Sequence, residues 1–239
     1  MKNFIMKLST ILSLSFIVAI MPAYAGPTVD MKGPRTVRVT GEINGAILDV
    51  AAKLDKMSKE SKQPINIIIN SPGGSVPAGL QLVEALHIAQ SRGVKIRCAV
   101  TTLAASMAYI LLSQCDERYA LANSLLLFHP ARSFIFMGAI KAEEARYMAE
   151  ELEAINKDMG QLLESSMGIV TAQQKTWFDY HTRNETLWLA SRLSKAIPVS
   201  DWMTIVSDID VDGPLLGKMN GDSSDEASVR NFLEQRSAR

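Results

Sequence analysis

Ile65-Asn66-Ile67-Ile68-Ile69 runs directly into Asn70-Ser71-Pro72-Gly73-Gly74-Ser75, and this junction decides the fold. The first five residues are β-branched and apolar but for one Asn. They are continuous rather than alternating, as expected of a strand covered on both faces of a parallel sheet. Pro72-Gly73-Gly74 ends the strand in a tight turn. A helical pattern from Val76 to Gln90 follows, then Gly93 and a further strand over Val94–Val100. Strand, helix and strand in that order call for parallel pairing through a right-handed crossover.

The same alternation extends in both directions. Upstream, Thr36–Thr40 reads as a strand, and Ala46–Met57 places Ile47, Val50, Ala51, Leu54 and Met57 on one helical face. Lys59–Gln63 reads as a polar linker. Downstream come small residues, an apolar helix around Ser106–Leu112, and strands at Arg118–Leu121 and Leu125–Phe128. A long helical pattern covers Ile140–Met167, where Met148, Leu152, Ile155, Met159 and Leu162 step by four and three. A narrow apolar stripe of that kind suits packing on a partner, a second subunit included. From Gly213 the chain is rich in Gly, Ser and Asp, and residues 213–239 are expected to form a disordered tail.

The first 25 residues read as an address. Lys2 and Lys7 precede the apolar stretch Leu8–Ile20, and Ala23-Tyr24-Ala25 fits a small-x-small cleavage site before Gly26. This is the pattern of a secretory signal peptide, and the stretch is short for a bilayer span. The mature domain is then expected at 26–212, in a periplasm or outside the cell. Cys98 and Cys115 would meet an oxidising compartment there; they could pair, or stay as two small buried hydrophobes.

Composition narrows the chemistry. The chain has 239 residues with 25 Lys+Arg against 25 Asp+Glu, which gives no electrostatic case for a nucleic-acid partner. No cofactor motif and no metal-ligand spacing is present, so neither is expected. The glycine turn lacks the ending of a phosphate loop. Three histidines, His87, His129 and His181, leave few imidazole bases.

Two segments fall where an open parallel sheet binds ligands, beyond the carboxyl ends of its strands. At the glycine turn, paired glycines let the backbone expose N–H groups to a developing oxyanion. In Ala104-Ala105-Ser106-Met107-Ala108, a serine sits between a strand and a helix with small neighbours two positions to each side, as a nucleophile elbow requires. On the pentapeptide by itself, an ordinary helix N-cap is the favoured reading. The Met107 N–H would face the same space as the serine hydroxyl, beside Gly74. His87 reads as a helix-surface residue and His181 as part of a polar loop. His129 ends the strand Leu125–Phe128 on the edge that carries Ser106.

These segments, in this order, resemble the ClpP family, the proteolytic subunits of the Clp protease. Thr40-Gly41-Glu42-Ile43-Asn44 is similar to its opening strand and turn. Ile69–Ser75 is similar to its glycine turn, Ala104–Ala108 to its nucleophile segment, and Phe128-His129-Pro130 to its histidine segment. The likeness runs from about Thr36 to Asp201. It implies a ClpP/crotonase-like α/β spiral whose Ile140–Met167 helix is the handle joining two rings, hence a homo-oligomer. It implies Ser106 as nucleophile, His129 as base, and the Gly74 and Met107 amides as oxyanion donors.

The sequence departs from the family at the third triad position. Arg183-Asn184 stands where the family has Arg-Asp, followed by Trp188-Leu189 and Asp201. The orienting residue would be Asn184, with Glu185 as a neighbouring substitute. An Asn can accept the imidazole N–H but does not offset imidazolium charge, and replacing the Asp of a serine triad by Asn costs on the order of 10⁴ in turnover. Behind a signal peptide no ATP-driven unfoldase is expected, which leaves short or already unfolded polypeptides as substrates. Two alternatives stand beside this reading: an inactive ClpP-like scaffold, and a Ser–Lys peptidase resembling signal peptide peptidase A, with Lys157 as base.

Overall fold

The computed structural model describes residues 26–132 and 141–213. The expected signal peptide, the tail beyond Gly213 and the Ile140 start of the long helix lie outside those residues. In chain order the elements are β1 (Thr28–Asp30), β2 (Thr36–Thr40), α1 (Ile47–Glu60), β3 (Ile65–Ser71), α2 (Val76–Ser91), β4 (Ile96–Ala105), α3 (Met107–Ser113), β5 (Glu117–Leu121), β6 (Leu125–Phe128), α4 (Ala142–Met167), α5 (Ala172–Arg183), β7 (Thr186–Leu189), α6 (Ala190–Ala196), β8 (Thr204–Val206) and β9 (Asp208–Asp210). This is the mixed α/β architecture that the sequence implies.

The main sheet runs β2-β3-β4-β5-β8, with β6 joined to the far end of β4 and β7 to β6. Every pairing in it is parallel except β6 with β7. The continuous apolar run of β3 is explained by two covers. Ile65, Ile67 and Ile69 face the large core under α1 and α2. Ile68 faces the other way, with Ala99, Val29, Met31, Val206 and Ile209. That second cover is the small parallel sheet of β1 and β9, whose three-residue strands give too short a period to read from sequence.

β4 is longer than expected, and the reason positions the site. Its first half, Arg97 to Val100, pairs with β5. Its second half, Leu103 to Ala105, pairs with β6. The small residues after Val100 are therefore strand, held by a second neighbour. The changeover is gripped by buried Ser124, whose Oγ lies 3.0 Å from the carbonyls of both Val100 and Thr101. Likewise α1 runs on to Glu60, past the start of the expected linker. The Arg35 guanidinium binds the carbonyls of Met57, Ser61, Gln63 and Pro64, closing the turn that follows.

Cys98 and Cys115 form a disulfide, their Cα atoms 6.0 Å apart. The bridge ties β4 to the end of α3, so it closes the loop that carries Ser106. In α4, Met159, Leu163 and Met167 are buried. From Ala142 through Ala154 the helix stands clear of the fold, with only Met148 and Leu152 half-buried.

Candidate active site

Ser106 follows the last residue of β4 and precedes α3. Its backbone adopts φ 54° and ψ −122°, one of two non-glycine residues with positive φ among those described. Such a conformation costs on the order of 1–3 kcal/mol and persists only where the surroundings impose it. Here they do. The Ser106 N–H donates to the Leu127 carbonyl at 2.8 Å, while its own carbonyl accepts from Tyr109 and Ile110. The side chain makes no capping hydrogen bond to α3, so the N-cap reading does not describe it. The hydroxyl is left half-exposed at the sheet edge.

The glycine turn closes over this elbow. A Cβ on Gly73 would lie 2.5 Å from the Ala105 carbonyl oxygen, 2.6 Å from the Ser106 Cβ and 2.9 Å from the Met107 nitrogen. Only glycine allows that approach, and at φ 91° the backbone favours it as well. Gly74 instead presses on Ile43, forming a parallel bridge. The bonds of that bridge run from Ile43 N–H to the Gly73 carbonyl and from Ser75 N–H to the Ile43 carbonyl. In a parallel bridge the middle residue turns its own amide to the opposite side. The Gly74 amide therefore faces away from Ile43. Met107, the first residue of α3, contributes one of the amides that a helix start leaves without an intrahelical partner.

The histidines separate clearly. His87 Nε2 lies 3.2 Å from the Gln114 side-chain oxygen. His181 is not in a loop: it lies in the last turn of α5, bonded through Nδ1 to the Trp177 carbonyl and stacked on the Trp177 ring at 4.1 Å. Helix α5 has a weak sequence signature because its apolar face is sparse, with Phe178 alone buried. His129 lies one residue beyond β6. Since Ala105 pairs with Leu127, Ser106 and His129 emerge one and two residues past the same rung of adjacent strands.

His129 Nδ1 lies 2.7 Å from the Pro130 carbonyl. A carbonyl oxygen only accepts, so Nδ1 carries the proton and the neutral ring keeps its lone pair on Nε2. That is the tautomer a general base needs. Neither residue expected to orient the ring is its Nδ1 partner. Asn184 is exposed, and its amide donates to the Tyr180 carbonyl at 2.7 Å. Glu185 stands opposite His129 if the Phe128–Thr186 ladder is continued by one rung. Its carboxylate pairs with Arg132 at 2.6 Å. Lys157 is exposed on α4 between Asn156 and Asp158.

A serine at a strained strand-to-helix turn, a glycine turn packed against it and a histidine following the neighbouring parallel strand form the layout of an α/β hydrolytic enzyme. The Clp protease family model matches residues 28–184. This chain belongs to that family, a family of peptidases. Among curated relatives, the ATP-dependent Clp protease proteolytic subunit of Ligilactobacillus salivarius is 29% identical over 140 residues, covering 56% of this chain and 67% of that protein.

Proposed function

We propose that this chain is a serine endopeptidase that cleaves short or unfolded polypeptides outside the cytoplasm. The Ser106 oxygen attacks the scissile carbonyl carbon, and its proton passes to His129 Nε2. The oxyanion that forms is held by the Gly74 and Met107 amides. When the C–N bond breaks, the imidazolium returns the proton to the leaving amine, and water then releases the acyl group by the same route. The observation that carries this reading is the strained backbone of Ser106, whose hydroxyl is turned out of any capping role. The expected address at residues 1–25 and the Cys98–Cys115 bond both support an oxidising compartment. Assembly in rings, as in the family, is supported by Met148 and Leu152 on the part of α4 that stands clear.

A fluorophosphonate probe tests the reading. Mature protein is expected to label, and Ser106→Ala to abolish both labelling and peptide cleavage, a loss on the order of 10⁶. Folded, oligomeric wild type that takes no label at any pH from 5 to 9 would establish the scaffold reading instead. N-terminal sequencing of the exported protein, with Gly26 expected first, tests the compartment.

A further inference from the structure

His129 is held by a peptide group rather than by a side chain. Its Nδ1–H donates to the Pro130 carbonyl at 2.7 Å. The other end of that same peptide unit, the Ala131 N–H, donates to Asn156 Oδ1 at 2.6 Å. Imidazole, Pro130–Ala131 peptide and Asn156 therefore form one chain of hydrogen bonds, which ends on α4. We propose that Asn156 is a positioning residue that acts through this peptide to keep His129 in the base-competent tautomer. The proposal rests on the peptidase reading above and says how that site works with a main-chain carbonyl on His129 Nδ1.

The argument is geometric first. A peptide group is planar, so fixing its N–H on one side fixes the direction of its carbonyl on the other. Asn156 lies half-buried on α4, three residues before buried Met159 and seven before buried Leu163. It is thus near the stretch of the helix that the core anchors, not on the part that stands clear. Arg132, paired with Glu185, ties the same segment to the start of β7. Residues 129–132 are held from two sides, and the carbonyl facing Nδ1 has little freedom to turn away.

The second part is electronic. A hydrogen bond donated by an amide polarises that amide and strengthens its carbonyl as an acceptor. Asn156 therefore favours the proton on Nδ1 and the lone pair on Nε2, where the Ser106 proton must go. With Asn156 gone, the peptide can rotate and the ring is free to take the opposite tautomer, which cannot accept that proton. In a serine triad whose Asp is replaced by Asn, the loss of about 10⁴ in turnover is ascribed to the wrong tautomer. A carbonyl on Nδ1 restores the tautomer and leaves only the charge uncompensated.

The experiment uses the full mature protein with ¹⁵N-labelled histidine. The three histidines give a simple spectrum, and His129→Gln assigns the signal. In its neutral form, wild-type His129 is expected to carry the proton on Nδ1. Asn156→Leu is expected to populate the other tautomer and to lower kcat roughly tenfold or more, with KM within about twofold. Asn156→Asp, which keeps the accepting oxygen, should recover kcat to within about threefold. A wild-type ring protonated on Nε2 overturns the proposal, even if Asn156→Leu fails to fold. So does Asn156→Leu with unchanged tautomer and kcat, or a folded Asn156→Asp as slow as Asn156→Leu. A wild type inert towards peptides, whose tautomer nonetheless depends on Asn156, supports the positioning relation and overturns the peptidase reading alone.

Discussion

Ser106 and His129 emerge from neighbouring strands, yet they are held in different ways. Around Ser106, β4 and α3 are buried almost throughout, a disulfide ties them together, and Gly73 packs so close that a Cβ there would lie 2.5 Å from the Ala105 carbonyl oxygen. Around His129, the contacts among the described residues are single hydrogen bonds and a half-exposed ion pair. The close-packed side has no room to relax, so substitutions there are felt as strain. The other side rests on a few polar contacts, so it gives way only where one of them is removed. With the proposed nucleophile fixed by packing and the proposed base by polar contacts, the base is the part that loses its place when a single contact is lost.

The largest effect that would test this contrast is expected from Gly73→Ala. Its methyl must displace main chain at both Ala105 and Met107, so probe labelling should slow by a factor on the order of 10³. A labelling rate within tenfold of wild type would mean that the elbow is softer than described. Next comes the Cys98→Ala/Cys115→Ala double variant. Losing the cross-link should cost about 3 kcal/mol and lower the Tm by about 6–12 °C. Labelling well below the Tm should stay within about threefold of wild type if packing alone suffices to hold the elbow.

On the histidine side effects should be smaller. Glu185→Gln removes a half-exposed pair worth about 0.2–1 kcal/mol, and the expected result is an unmoved Tm with a two- to fivefold fall in kcat. The smallest effect is expected at Asn184, whose amide is already committed to the Tyr180 carbonyl. Asn184→Asp should change kcat/KM by less than about threefold. A rise of tenfold or more would show that this loop delivers its side chain to His129, and the contrast would need redrawing.

How far the sequence disclosed all this follows from where each signal lies. The β3 run, the glycine turn and the elbow pentapeptide are local patterns with local causes, and each sits where its residues predict. Strand β6 ends at Phe128 as its apolar run indicates. The second half of β4 was hidden because its strand character comes from β6, over twenty residues away. β7, β8 and β9 have three or four residues each and exist through partners distant in the chain. The pairing of Cys98 with Cys115 needed a distance, not a spacing. At the site, the family resemblance pointed to Ser106 and His129, which the fold carries on adjacent strand ends, but not to the partner of Nδ1. That partner is a main-chain carbonyl, and every residue has one, so no residue type marks it.

The backbone at Ser106 carries one more implication. At φ 54° and ψ −122° a glycine would rest comfortably where serine does not. Replacing Ser106 by Gly should therefore raise the melting free energy by something on the order of 1–3 kcal/mol, whereas Ser106→Ala should leave the distortion in place. A protein with no use for that hydroxyl would become sturdier by discarding it. That the hydroxyl stands there against the preference of its own main chain is what a working nucleophile, rather than an idle relic, would demand.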